Sequence, residues 1–261
     1  MASIAPRRLL VPGTGFYVVS AAAMAAVLAI GFGLNFALGR SSFGAPASVH
    51  LHALLFVGWT GLYVLQTGLA ATGSLALHRR LGWLAVGWLP AMVLAGTYVT
   101  VMSVRREAVP FFSTPGYFLI MNPLGVLTFA GLSGAAMVLR RRTQWHRRLM
   151  LCGMAVLTGP GWGRFAPVPL LIPHAGLGVI ALVLLFPLAG MLWDLRSRGR
   201  VHPAWWWGIG TILAMQVLIE IVPATPLGGA IYRAAAAGSP AAGHDRLAYP
   251  PFPPGFPIPH P

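Results

Sequence analysis

The chain has 261 residues, of which 57% are hydrophobic and only 8% charged, with a formal net charge of +14. Soluble domains carry about 25% charged residues, so the composition points to a membrane. The basic excess does not signal nucleic acid. Its residues, all 18 of them arginine, sit in short clusters between apolar stretches, where they read as topology signals rather than as a phosphate-binding face.

Crossing a bilayer core takes about 20 apolar residues in a helix. A short N-terminal segment (1–15) precedes seven such stretches in residues 16–226: Phe16–Leu38, Val49–Thr72, Leu81–Val104, Tyr117–Leu139, Leu149–Leu170, Leu171–Trp193 and Trp205–Thr225. The expected fold is an all-α, polytopic transmembrane bundle of seven spans. The first stretch is too long for a signal-peptide core and lacks a convincing cleavage site, so it is expected to stay in the protein. Arg7, Arg8, Arg79, Arg80, Arg140, Arg141, Arg142, Arg147, Arg148, Arg196, Arg198 and Arg200 fall on one side. Arg40, Arg105, Arg106, Arg233 and Arg246 fall on the other, and Arg164 lies inside a span. The positive-inside rule then gives an N-in, C-out orientation. Trp83, Trp145, Trp193 and Trp205–Trp207 collect near the cytoplasmic boundary, as an interfacial aromatic belt does. The segment 227–261 becomes rich in proline from Ser239 onward and is expected to be a disordered extracytoplasmic tail, or a docking strap for a partner on that face.

A short echo runs through the chain. Leu77-His78-Arg79-Arg80-Leu81-Gly82 recurs as Trp145-His146-Arg147-Arg148-Leu149-Met150, each copy opening a span that runs from the cytoplasm outward. A duplicated helical hairpin would explain it, and so would a repeated interfacial anchor. Depth sorts four histidines into two levels: His52 with His174 near the outer ends of the second and sixth spans, His78 with His146 near the inner ends of the third and fifth. Two histidines at matching depth on facing helices are what haem needs between helices. His202, His244 and His260 fall in loops or tail and read as solvated. The single cysteine, Cys152, excludes an intramolecular disulfide and a Cys-only metal site.

The pattern of His52, Gln66 and His78-Arg79-Arg80-Leu81-Gly82, with the later Trp145-His146-Arg147-Arg148-Leu149-Met150-Leu151, resembles a group of uncharacterised bacterial integral-membrane proteins. The likeness covers about 100 residues between Val49 and Arg164 and implies a multi-pass protein of the bacterial inner membrane. More distantly, the two-level layout is similar to the cytochrome b561 class of di-haem electron carriers, which implies bis-histidine haem b. Those carriers place their ligands on four consecutive helices. Here the candidates lie on the second, third, fifth and sixth spans, and Asn122 stands in the fourth where an outer histidine would be expected.

The fifth span carries Gly159-Pro160-Gly161-Trp162-Gly163-Arg164, a helix break at membrane depth, which is tolerated where backbone is buried in protein or lines a polar cavity. Arg164 needs an anion there, and Glu220 in the seventh span is the expected partner of a buried charge pair. With only four acidic residues in the chain, two-carboxylate hydrolysis and phosphoryl transfer on carboxylate-bound magnesium are poorly supported. The expectation is a haem b electron-transfer protein with one or two haems. His52 and His174 would ligate an outer haem, His78 and His146 an inner one, and Arg164 would neutralise a propionate or a quinone. Two other readings stay open: a transporter or metal- or haem-handling assembly factor of the respiratory chain, and a membrane scaffold that docks partners through its tail.

Overall fold

Helices start where the sequence punctuates them. A computed structural model of the protein describes residues 10–41, 43–165 and 168–252. Its helices are α1 (Gly15–Ala37), α2 (Ala47–Ala71), α3 (Leu75–Gly82), α4 (Leu84–Arg105), α5 (Pro115–Val138), α6 (Thr143–Leu157), α7 (Gly159–Phe165), α8 (Ala175–Arg198), α9 (Pro203–Ile221) and α10 (Pro226–Ala236). Three of them open with an acceptor side chain followed by proline. Thr114 accepts from the Tyr117 N–H at 3.3 Å, His202 Nδ1 from the Ala204 N–H at 3.1 Å, and Thr225 from the Gly228 N–H at 3.2 Å. Proline at the first helical position costs nothing, because its missing N–H would be unpaired there anyway. Gly199, in the left-handed conformation at φ 69°, ends α8.

Six helices, α1, α2, α4, α5, α8 and α9, are long and apolar enough to cross a membrane. The remaining expected span is not one continuous apolar helix. At 15 residues α6 is about 22 Å long, and the seven-residue α7 follows it after a break. The break falls at Thr158, whose hydroxyl donates to the Ala155 carbonyl at 2.6 Å, just ahead of Pro160, which has no N–H to give the ladder. This element compensates for its shortness by being central. Leu151 to Thr158 is buried on every side, between α5, α8 and α9.

Small residues let the backbones approach, as is usual where dispersion rather than water drives helix association. A Cβ on Gly153 would lie 2.8 Å from the Ser133 hydroxyl oxygen of α5, and Gly208 of α9 faces the Cys152 thiol directly. With α6 and α7 taken together, successive long helices alternate in direction. One end of the bundle joins the Val11 N–H to the Ala71 carbonyl, Arg147 to the Gly13 carbonyl, and Arg198 to Gln144. This is the arginine-rich end. The far end gathers Arg105, Gly116, Pro223 and Arg246.

The segment beyond residue 226 departs from the expected disorder. Through Phe252 it forms a cap on the far end: Tyr232 donates to the Ala241 carbonyl at 2.9 Å, and the Gly116 N–H to the Arg246 carbonyl at 2.8 Å. Arg105 donates to the carbonyls of Ala235 and Ala237 at 2.9 and 2.7 Å, satisfying the C-terminus of α10. The reason is local. Thr225-Pro226 starts a helix whose Tyr232 and Ala236 are buried against Val104 and Leu119, and the densest proline run falls later. The tail residues 253–261, with His260, and the N-terminal Arg7 and Arg8 lie outside the described residues.

Candidate functional site

At the arginine-rich end the two His-Arg-Arg copies meet. The rings of His78 on α3 and His146 on α6 lie 6.2 Å apart between centroids and nearly perpendicular, at 87°. Each is anchored in the same way. His78 Nδ1 lies 3.1 Å from the Gln66 carbonyl at the end of α2, and His146 Nδ1 lies 2.8 Å from the Ala136 carbonyl at the end of α5. A backbone carbonyl accepts only, so both Nδ1 atoms donate, and in the neutral rings Nε2 keeps the lone pair. That arrangement is typical of histidines that ligate metals.

Gln66 completes the clamp on the first copy. Its Nε2 donates to the His78 carbonyl at 3.1 Å, and the Cα of Gly82 faces that amide, leaving 3.6 Å for a Cβ. The spacing of glutamine, histidine and glycine in the sequence therefore fixes one imidazole. Gln66 Oε1 remains buried with no hydrogen-bond partner beside the pair. Arg140 stacks over Trp83 at 5.4 Å on the same rim.

The copies diverge at their second arginine. Arg80 is exposed, but Arg148 is fully buried and makes a two-pronged ion pair with Asp194, its Nε donating at 2.8 Å and its Nη2 closer still. Asp194 also accepts from the Trp205 indole at 2.9 Å and from the His202 N–H at 3.3 Å. Gln144 Oε1 accepts from Arg147, Arg148 and Arg198 at 2.6, 2.6 and 2.8 Å. Gly190 is the notch that admits the Trp205 ring, one helical turn before Asp194. Sequence reasoning counted Arg148 among the cytoplasmic-side arginines and gave Asp194 no role. The available signal was scarcity: in a chain with four acids, one at the end of an apolar span and four residues from an arginine merits a partner search.

The expected outer pair is not assembled. His174 is exposed at the start of α8, whereas His52 is half-buried on α2 and stacks on Phe56 at 4.1 Å. α2 does not pack along α8; α1 contacts both, and α7 lies against α1 and α8. Nor do Arg164 and Glu220 form the expected pair. Arg164 lies 3.9 Å from the Phe32 ring centroid and donates to the Pro160 carbonyl at 2.7 Å. Glu220 Oε1 instead accepts from Tyr117 at 3.1 Å and from Gln216 at 2.6 Å. α7 packs on α1, away from α9, so the two charges sit in different parts of the far end.

Haem can be tested against the inner pair. An iron bound by two imidazole nitrogens at about 2 Å each puts the ring centroids roughly 6 Å apart, which matches the observed separation. No group of three or more His, Cys, Asp or Glu gathers around a common point among the described residues. Zinc needs three or four such ligands, whereas haem brings four of its own and needs only the axial two. By separation the inner pair is compatible with two ligands of one haem iron, whereas the outer pair is not brought together. No family model matches the chain, and no curated protein or solved structure matches it either.

Proposed function

We propose that this multi-pass membrane protein is a haem b electron carrier of the bacterial inner membrane, with one haem held by His78 and His146 and the arginine-rich end in the cytoplasm. The observation that carries the reading is the paired imidazoles, each with Nδ1 tied to the backbone and Nε2 left as a ligand. When bound, the haem supplies a reversible one-electron step at its iron.

The protein's own contribution is orientation and charge. Gln66 and the carbonyls of Gln66 and Ala136 fix both rings against rotation, so ligation demands little reordering. Arg79, Arg80 and Arg147 crowd the same end with positive charge, complementary to propionate carboxylates. The orientation follows from the arginine distribution, and it would place electron exchange with a quinone or redox partner near the inner boundary.

The test is a dithionite-reduced minus oxidised spectrum of the detergent-purified protein, with haem quantified. One haem per chain is expected, lost in His78→Ala and His146→Ala and kept in His52→Ala and His174→Ala. A protein made with ample haem that shows no Soret band overturns the reading, as does a spectrum indifferent to both inner histidines.

A further inference from the structure

Arg164 has no counter-ion among the described residues, and the four acids of the chain are engaged elsewhere. Of its four acids, Asp194 is taken by Arg148, and Glu107 faces His244 at 3.6 Å. Glu220 accepts from Tyr117 and Gln216, and Asp245 from the Leu247 N–H at 2.9 Å. The Nε of Arg164 is buried with no hydrogen-bond partner. A buried, charged and unsatisfied donor forms half of a binding site. Leaving such groups desolvated and unpaired is costly.

The fold holds the guanidinium there firmly. A Cβ on Gly31 would lie 2.5 Å from the Gly161 carbonyl oxygen, so α1 and α7 touch backbone to backbone, and this crossing sets Phe32 under Arg164. Phe32, on which Arg164 rests, comes 17 residues after Gly15, where the unbroken α1 leaves the arginine-rich end. At 1.5 Å per residue the rise is about 26 Å, most of the thickness of a bilayer's hydrocarbon core. Arg164 therefore stands near the far boundary, within reach of headgroup phosphates. A guanidinium edge matches phosphate oxygens in a two-pronged geometry that no ammonium offers.

We propose that Arg164 binds a phosphate-type anion at the far boundary of the membrane, either the phosphodiester of a lipid headgroup or a free phosphate. The inference is independent of haem.

Full-length protein in a neutral detergent, examined by native mass spectrometry with phosphatidylglycerol and with a phosphate-free galactolipid, tests it. A separate titration uses inorganic phosphate. Wild type and Arg106→Gln, an exposed arginine at the same end, should retain one phosphatidylglycerol with a preference of about tenfold over the galactolipid. Arg164→Gln should lose that preference, and Arg164→Lys should keep part of it. Inorganic phosphate binding that depends on Arg164, without a lipid preference, assigns the site to a soluble anion. Equal retention of both lipids by wild type, with no Arg164-dependent phosphate binding, overturns the proposal. Should Arg164→Gln not fold, the wild-type preference and the Arg164→Lys response decide.

Discussion

Asp194 shows what a single carboxylate does inside a bundle with almost no others. Its oxygens accept from Arg148, Trp205 and the His202 N–H, and Arg198 stands 3.8 Å away. Breaking a buried pair by removing one partner costs about 3–5 kcal/mol, whereas replacing both with apolar residues is often neutral. Asp194→Ala should therefore lower stability by roughly that amount, and Asp194→Leu with Arg148→Met should recover most of it. Thermal unfolding in detergent reads both; equal damage from the single and double variants would argue against the pair. His202, in the turn before α9, gives a pH signature. Burial lowers its pKa, and the Arg148 charge lowers it further, in keeping with an Nδ1 that must stay unprotonated to accept from Ala204. A depressed histidine means that the unfolded chain binds more protons, so stability rises with pH through the window below about 6.5. Acidification from pH 7 to 5 should destabilise the protein, and His202→Asn, which keeps an accepting cap, should flatten that slope.

The helices themselves were legible because a bilayer demands one property from each, a run of about 20 apolar residues. α1, α2, α4, α5, α8 and α9 satisfy it and lie where hydropathy puts them, with ends displaced by a few residues. α6 was harder to read for a physical reason. Buried among neighbours, it need not be long or uniformly apolar, and it begins at Thr143 among arginines rather than at Leu149. The break around Pro160 was visible, but the surface it creates was not. Two glycines make that surface. Gly31→Ala would push a Cβ within 2.5 Å of the Gly161 carbonyl oxygen, and backbone cannot swing away as a side-chain tip can. Gly33, two residues on, has open space around its Cβ. Gly31→Ala should cost about 1–3 kcal/mol by overpacking, while Gly33→Ala should be neutral or stabilising by up to about 1 kcal/mol. Thermal shifts of the matched pair check this: equal shifts for the two variants would argue against a tight α1–α7 crossing. The same variants link packing to chemistry, because loosening the crossing moves Phe32 away from Arg164 and should weaken phosphate binding in parallel.

Across the whole molecule, hydropathy fixes the depth of a residue and leaves its neighbours around the bundle undetermined. His78 with His146 and His52 with His174 looked equivalent by depth, yet only the first two share a helix boundary, through the α5–α6 hairpin and the α2–α3 clamp. The same gap hid the cap. The sequence signal for disorder was proline, while the segment's order comes from contacts with distant loops. Val104, Val109, Leu119, Tyr232, Ala236 and Ala241 form a second apolar cluster, separate from the main core. Separate clusters open separately when the free energies of their local openings differ. Arg105 ties this one to α4 through three carbonyls, those of Ala235, Ala237 and Gly238. Arg105→Ala removes charge-assisted bonds worth about 1.5–3 kcal/mol each at most, less where water reaches them. Hydrogen exchange should then speed up in 227–252 while α6 and the Arg148–Asp194 pair keep their protection. Uniform acceleration across the chain would mean instead that cap and bundle unfold as one unit, and that the far-end cover is part of the core.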